Sequence, residues 1–282
     1  MTEAVPHDGV EPTLRARGPA YSVIQKCLEV QADAAPCGRV AHFFGRSPLS
    51  PDARSWFQGA LGEIEVAGVL SRLGPGWTVL HAVPVGSGES DIDHVVIGPP
   101  GIFTINTKNH SGHKIFVGGG SLTVDGHRTE HMRNSVHEAQ RASKLLSKVA
   151  GDPVKVTPLI VLVGVDRLSI GRKRPTVTVL HAEQLQRWLQ KRPQVHSDEA
   201  VAYFALIAEE RGTWHTVAHV TDDTLRHVQR FERLRHEVDV ARRRRRWWSL
   251  FGTLSMLAVV GLVLVGVLGL AANLFLKAFH LA

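Results

Sequence analysis

The sequence predicts a mixed α/β protein, with a mixed central sheet flanked by helices and one C-terminal transmembrane helix. Continuous apolar runs such as Val156–Val163 alternate with segments of helical spacing such as residues 56–73, which is typical of a sheet covered on both faces. Residues 247–276 contain no charged side chain. About 20 such residues are enough for a helix to cross the hydrocarbon core of a bilayer.

The chain of 282 residues is expected to divide into five segments. Residues 1–52 show no sustained period, and we expect an irregular segment that packs loosely, apart from a short helix at Tyr21–Ala32. The first residues, MTEAVPHDGVEPT, lack a basic head and an apolar stretch, so we expect no signal peptide. The other predicted segments are a globular α/β domain at 53–195, a helical region with a basic juxtamembrane stalk at 196–246, a transmembrane helix at 247–276 and a short tail at 277–282.

The basic charge is concentrated beside the predicted transmembrane helix. Five consecutive arginines and two tryptophans precede it, and the arginines account for five of the net charge of +7. The positive-inside rule places this end in the cytoplasm, and tryptophans are typical interfacial anchors. We therefore expect a single-pass cell-membrane protein whose soluble domain lies in the cytoplasm. The predicted membrane flank consists of Arg242, Arg243, Arg244, Arg245, Arg246, Trp247 and Trp248.

Polar side chains interrupt a predicted hairpin within residues 87–113. Two apolar runs, 94–97 and 102–105, are separated by Gly-Pro-Pro-Gly, which is a turn signal between strands. Asp93 precedes the first run, while Asn106 and Lys108 follow the second and share one face of the strand. Antiparallel pairing would bring these three residues together.

This grouping of residue types suits metal-assisted cleavage of a phosphodiester. A hard divalent cation prefers carboxylate and carbonyl oxygens, and a nearby lysine can orient water or offset charge on the phosphate. The alternative interpretation is that the polar residues simply mark the ends of the two strands, since polar clusters also occur in structural networks.

Three blocks of the sequence, GE at 62–63, DIDHVVIGP at 91–99 and GIFTINTKN at 101–109, closely resemble the nuclease-related domain, abbreviated NERD. This family is similar in its core to the PD-(D/E)xK nucleases, which implies a restriction-endonuclease-like core. The resemblance covers roughly residues 56–149. It implies that Asp93 is the metal-binding aspartate, that Lys108 is the lysine of the E-x-K element and that Glu63 is the glutamate on the preceding helix.

Asn106 departs from the family pattern, which has an acidic residue at this position. An amide oxygen can bind a hard cation but brings no charge, so we expect weaker metal binding. Asp93, Asn106 and Glu63 are the predicted metal ligands, and magnesium or manganese is the expected cofactor if the domain is active. Two main functions remain open: a metal-dependent nuclease, and a catalytically silent module that holds nucleic acid or a protein at the membrane. A hydrolase of other phosphodiesters is a third.

Nucleic acid, DNA rather than RNA, is the expected substrate or partner. Seven Lys and Arg residues against three acidic residues lie between positions 108 and 148. Such a surplus would help to hold a phosphate backbone, although it is equally typical of a solvated helix face. The candidate contacts are Lys114, Arg133 and Arg141. The resemblance and the Arg-, Ala- and Gly-rich composition suggest a bacterial source.

Overall fold

The computed structural model describes residues 14–35, 38–85, 91–214 and 224–280. It divides into two compact units. The first unit consists of residues 1–30 and 52–227, and the second consists of residues 31–51 and 228–282. Each unit is described by itself below.

Helices and strands alternate along the described residues; the strands all belong to the first unit, and Arg39–Phe43 and residues 228–280 of the last helix belong to the second. The strands are β1 (Thr78–Pro84), β2 (Asp91–Gly98), β3 (Gly101–Asn109), β4 (Lys114–Gly118), β5 (Ser121–Val124), β6 (His127–Thr129), β7 (Val156–Val163), β8 (Arg167–Ile170) and β9 (Thr178–His181). The helices are α1 (Tyr21–Ala32), α2 (Arg39–Phe43), α3 (Ala53–Leu70), α4 (His131–Ala150), α5 (Ala182–Gln190), α6 (Asp198–Glu209), α7 (Arg211–Trp214) and α8 (Thr224–His280), and a short 3₁₀ turn covers Leu14–Ala16.

A five-stranded sheet with the order β1-β2-β3-β7-β9 forms the centre of the first unit. The pairs β1-β2 and β2-β3 are antiparallel, whereas β3-β7 and β7-β9 are parallel. One apolar cluster joins the sheet to α3 and α5, and a second joins it to α4 and α6. The predicted mixed α/β fold class, with helices flanking a mixed sheet, is therefore confirmed.

The β2-β3 hairpin has the predicted form. Gly98 pairs with Gly101 across the Pro99-Pro100 turn, and the register continues to the pair His94 and Ile105. Gly101 has a φ of 137°, a backbone conformation that side-chain-bearing residues rarely adopt, so the turn requires glycine at this position. The register places Asp93 beside the Asn106 end of β3.

A second sheet, with the order β6-β5-β4-β8, includes a strand that the sequence analysis did not anticipate. No strand was predicted at residues 166–175, but Arg167–Ile170 pairs in parallel with β4. The prediction failed here because this pairing partner is about 50 residues distant in the sequence, and a four-residue strand has little periodicity of its own.

The N-terminal segment is packed more tightly than expected. The predicted helix at Tyr21–Ala32 is confirmed, but the expectation of loose packing is wrong, because Leu14 is 1% exposed and Ile24 is 3% exposed. Cys27 is fully buried, and its thiol lies 3.9 Å from the carbonyl oxygen of Ala53. The apolar residues of α1 recur at helical spacing, so they form one face that can join the core.

The C-terminal helix α8 dominates the second unit. The predicted juxtamembrane stalk and the predicted transmembrane helix belong to one continuous helix, and its apolar part has a mean hydropathy of 2.4 over 18 residues, none of them buried. Leu225–Gly269 is the one candidate membrane span among the described residues, by length and composition. A helix this apolar and this exposed fits membrane anchoring.

Candidate active site

The hairpin brings Asp93 and β3 together through a main-chain hydrogen bond. Thr107 donates its backbone N–H to Oδ2 of Asp93 over 2.6 Å. On the other side of β2, Ala82 has a φ of 46° and stands between the paired residues His81 and Val83. This local irregularity in β1 is of the kind that redirects a side chain on the neighbouring strand. Asp93 is consequently fixed at the end of the hairpin, as predicted.

Glu63, on α3, is a second carboxylate that the charges of Asp93 and Lys108 influence. Its side chain is almost fully buried, with 6% of the residue exposed. Burial raises the pKa of Glu63 well above its ordinary value, and the neighbouring charge of Asp93 raises it further. The positive charge of Lys108 and a hydrogen bond from the backbone N–H of Ala20 act in the opposite direction. Glu63, Asp93 and Lys108 are therefore close enough to influence one another.

A third carboxylate, Glu138 on α4, contacts Asn106 directly. The amide nitrogen of Asn106 donates to both carboxylate oxygens of Glu138, at 2.7 and 2.9 Å. Burial raises the pKa of Glu138 to about 7, the hydrogen bond from Asn106 lowers it, and the charge of Asp93 raises it. The sequence analysis missed this residue. The available signal was its position three residues after Ser135 and four before Ala142, both on the buried face of α4.

The donor set fits a hard divalent cation. Asn106 is 5% exposed, and within the described part of the chain its Oδ1 atom is buried without a hydrogen-bond partner. A buried polar atom of this kind is often the place of an ion or a water molecule. Carboxylates and an amide oxygen are the ligands that magnesium and manganese prefer.

The carboxylates are not arranged as a complete metal cage. Among the residues that the structure describes, no three His, Cys, Asp or Glu side chains are grouped so that they could hold one ion. A cation at this end of the hairpin would therefore draw on at most two carboxylates, together with neutral oxygens such as Oδ1 of Asn106. Fewer charged ligands imply weaker binding.

The N-terminal segment forms one side of the candidate site. Arg17 makes an ion pair with Asp91 at 3.0 Å, and the hydroxyl of Ser22 also hydrogen-bonds to this carboxylate. These contacts stabilise the charge of Asp91, whereas burial raises the pKa of Asp93 and the positive charge of Lys108 lowers it. Ala20, whose N–H bonds to Glu63, has a φ of 58°. Strained backbone in a residue other than glycine is often found at functional sites.

Two histidine pairs occupy the same part of the sheet. The Nε2 atoms of His110 and His131 lie 3.1 Å apart, with their rings stacked. Burial lowers the pKa of His131 to about 4, and the charge of Lys108 contributes to this shift. His94 is fully buried and lies 2.8 Å from His81 between their Nδ1 atoms.

The three predicted nucleic-acid contacts lie on the surface. Lys114, Arg133 and Arg141 are all exposed. Arg133 pairs with Glu130 at 3.1 Å. Contact of these three side chains with the phosphate backbone of nucleic acid stays a prediction.

A mixed α/β domain with carboxylates and a lysine at the end of one hairpin is typical of nuclease-like proteins. Residues 58–163 match the family model of the nuclease-related domain. The family implies a nuclease-like function that generally depends on a metal. Neither a curated protein nor a solved structure matches the chain significantly.

Proposed function

We propose that this protein is a membrane-anchored, metal-dependent phosphodiesterase that cleaves nucleic acid, with DNA favoured over RNA. The observation that supports this proposal is the grouping of Glu63, Asp93 and Glu138 around Lys108. With all four groups ionised the cluster has an excess of two negative charges, and the desolvated carboxylates disfavour one another. A bound divalent cation would offset this repulsion, so the excess of negative charge favours cation binding.

Each residue of the cluster has a proposed role. Asp93, Asn106 and Glu63 hold magnesium or manganese, as the resemblance to the family implies. The bound ion supplies Lewis-acid polarisation of the phosphoryl oxygen and lowers the pKa of bound water. Lys108 orients the attacking water and stabilises charge that develops on the phosphate.

The surroundings of the site and the C-terminal helix complete the proposal. Lys114, Arg133 and Arg141 contact the phosphate backbone, independently of the base sequence. The arginines at 242–246 keep their end of α8 on the cytoplasmic side, according to the positive-inside rule. The domain then acts in the cytoplasm at the membrane surface.

Cleavage assays on the full chain in lipid nanodiscs test this function. The substrates are single- and double-stranded DNA and RNA with magnesium or manganese, and the variants are Asp93→Ala and Lys108→Ala. We expect wild-type cleavage and a loss of about 10²-fold or more in each variant, because Asp93→Ala removes a metal ligand and Lys108→Ala removes a positive charge that acts on the reacting phosphate. Lys148→Ala, at an exposed position of α4, is the matched control and should retain activity.

Asn106 supports a second candidate, a catalytically silent module that holds nucleic acid or a protein at the membrane. A neutral residue at this position reduces the negative charge available to a metal. The same assay separates the two functions. Absence of cleavage and of manganese binding in wild type, with Asn106→Glu also inactive, would favour the silent module.

A further inference from the structure

Asn106 and Glu138 form a contact that relates the neutral residue of β3 to a carboxylate on another element. The amide of Asn106 donates to both oxygens of Glu138, at 2.7 and 2.9 Å. A carboxylate oxygen can accept more than one hydrogen bond or ligand interaction, so both oxygens of Glu138 retain a free lone pair. The pair thus places a negative charge next to a position from which the family acid is missing.

The packing of α4 holds Glu138 in this place. One face of the helix is buried against the sheet, and the hydroxyl of Ser135 lies 3.5 Å from the carbonyl oxygen of Leu159. Glu138 is half-buried beside this face rather than extended into water. A flexible glutamate on a helix would normally keep its charge solvated. The residues that fix the helix are Met132, Ser135, Ala139, Ala142 and Leu146.

We infer that Glu138 supplies the metal-binding carboxylate that residue 106 lacks, and that Asn106 orients it toward magnesium or manganese at Asp93. The inference rests on the proposed function and makes Glu138, in place of Glu63, the second carboxylate beside Asp93, because no three carboxylates of the described residues are grouped around one ion. Asn106, which binds Glu138, is next in the chain to Thr107, whose backbone N–H binds Asp93, so the two carboxylates contact adjacent residues of β3. The unpartnered Oδ1 of Asn106, buried among the described residues, provides a neutral oxygen at the same place.

Manganese binding to the full chain in nanodiscs tests the inference without reference to activity. Electron paramagnetic resonance measures free and bound manganese for wild type, Glu138→Gln and the double variant Asn106→Asp with Glu138→Gln. We expect Glu138→Gln to weaken binding about 10- to 100-fold. The double variant returns the carboxylate to β3 and should recover most of this loss. Glu130→Gln, an exposed carboxylate next to α4, is the matched control and should bind like wild type.

The possible results separate this inference from the proposed function. Wild type that binds no manganese contradicts both. Wild type that binds manganese, with Glu138→Gln unchanged, overturns the role of Glu138 and leaves the proposed function standing. Thermal unfolding of each variant identifies misfolding. Should Glu138→Gln misfold, Glu138→Ala, which also removes the carboxylate, is measured instead, and manganese binding equal to wild type would contradict the inference.

A separate observation in the second unit concerns an aromatic patch beside the membrane span. The indole N–H of Trp248 donates to the carbonyl oxygen of Phe43 over 3.1 Å, and the Trp248 ring lies 5.3 Å from that of Phe43 and 4.9 Å from that of Phe44. Gly45 approaches α8 so closely that a Cβ atom there would lie 2.4 Å from the backbone nitrogen of Arg245. Helix α2 is therefore held against α8.

Although α2 is held against α8, the aromatic patch still exposes apolar side chains. Phe43 remains 57% exposed and Phe44 52% exposed, although they contact Trp248. Nearby in the chain, Val40 on α2 is 72% exposed and Trp247 on α8 is 74% exposed. The patch continues directly into the candidate membrane span, and the neighbouring arginines suit anionic headgroups. The geometry points to α2 lying in the bilayer interface, with an anionic phospholipid surface as the partner of this patch.

Depth-dependent quenching tests this membrane contact. Val40→Cys, labelled with bimane in a Cys37→Ser background, is reconstituted as the full chain in phosphatidylcholine and phosphatidylglycerol vesicles. Glu232→Cys is the control, because it lies on the same helix as Trp248 but about 24 Å from it at 1.5 Å per residue. We expect spin-labelled lipid to quench position 40 and aqueous iodide to quench position 232. Iodide quenching of position 40 equal to that of position 232 would contradict the proposal.

Discussion

Glu63 and Glu138 come from helices on opposite faces of the central sheet, and their surroundings differ. Glu63 on α3 is buried, and a main-chain N–H is among the groups that stabilise its charge. Glu138 on α4 is half-buried and accepts two hydrogen bonds from the side chain of Asn106. Both are influenced by Asp93 and Lys108. A substitution of Asn106 on β3 is therefore expected to affect Glu138 on α4 more directly than Glu63 on α3.

The largest expected effect comes from Lys108, the positive group that both glutamates share. We expect Lys108→Gln to lower cleavage by about 10²- to 10³-fold, because a cation that stabilises the reacting phosphate is lost. The same change should strengthen manganese binding severalfold, since a like charge next to the metal is removed. Activity and manganese titration measure the two effects. Weaker manganese binding in this variant would indicate that Lys108 orders the ligands, and would contradict the assignment.

The two glutamates should differ in their effect on metal affinity. Because Glu138 contacts Asn106 and Glu63 does not, we expect Glu138→Gln to weaken manganese binding about 10-fold or more, and Glu63→Gln to weaken it less. Isothermal titration of the single and double variants measures the difference. Equal losses of manganese affinity in the two single variants would contradict the expected difference between the glutamates on the two faces of the sheet.

The stability of the fold at low pH depends on a histidine pair that is separate from the two glutamates. Burial lowers the pKa of His81 to about 4, and the facing His94 is shifted in the same direction. A histidine held neutral in the fold but protonated when unfolded stabilises the protein above pH 6.5 and loses this effect as the pH falls toward 4. We expect a loss of about 1–2 kcal/mol between pH 7 and 4.5, observed as a lower melting temperature in detergent. The loss should be smaller in His81→Phe, and an equal loss would assign it to other groups.

The smallest expected effect concerns the backbone that supports Glu63. Ala20 has a φ of 58° and is fully buried, so Ala20→Gly removes strain without creating a large cavity. We expect a gain of about 0.5–1 kcal/mol in the free energy of unfolding, with the N–H that bonds to Glu63 retained. Thermal unfolding measures it. A clear destabilisation would show that the methyl group of Ala20 matters more than its backbone conformation.

The sequence predicted the hairpin well because its signals are local. Alternating apolar runs and the Gly-Pro-Pro-Gly turn determine the strands, and the two-residue period of a strand places Asn106 and Lys108 on one face. The helix α3 and the apolar C-terminal helix depend on equally local patterns, and both are present in the structure. The roles of Asp93, Lys108 and Glu63 stay predictions that derive from the family resemblance.

Features that depend on distant contacts could not be predicted in this way. Glu138 is 32 residues from Asn106, and in the sequence it resembles any charged residue on an amphipathic helix. The ion pair between Arg17 and Asp91 joins residues 74 positions apart. The strand β8 similarly depends on its pairing with β4. In each case the partner, rather than the local pattern, determines the role of the residue.

Anomalous diffraction at the manganese edge, from crystals of the full chain grown with manganese, tests the central claim most directly. If Asp93 and Glu138 bind the ion, an anomalous peak will lie about 2–2.6 Å from a carboxylate oxygen of each, with Oδ1 of Asn106 close by. A manganese ion bound elsewhere in the domain, or no peak at the end of the hairpin under conditions in which the protein cleaves DNA, would contradict it.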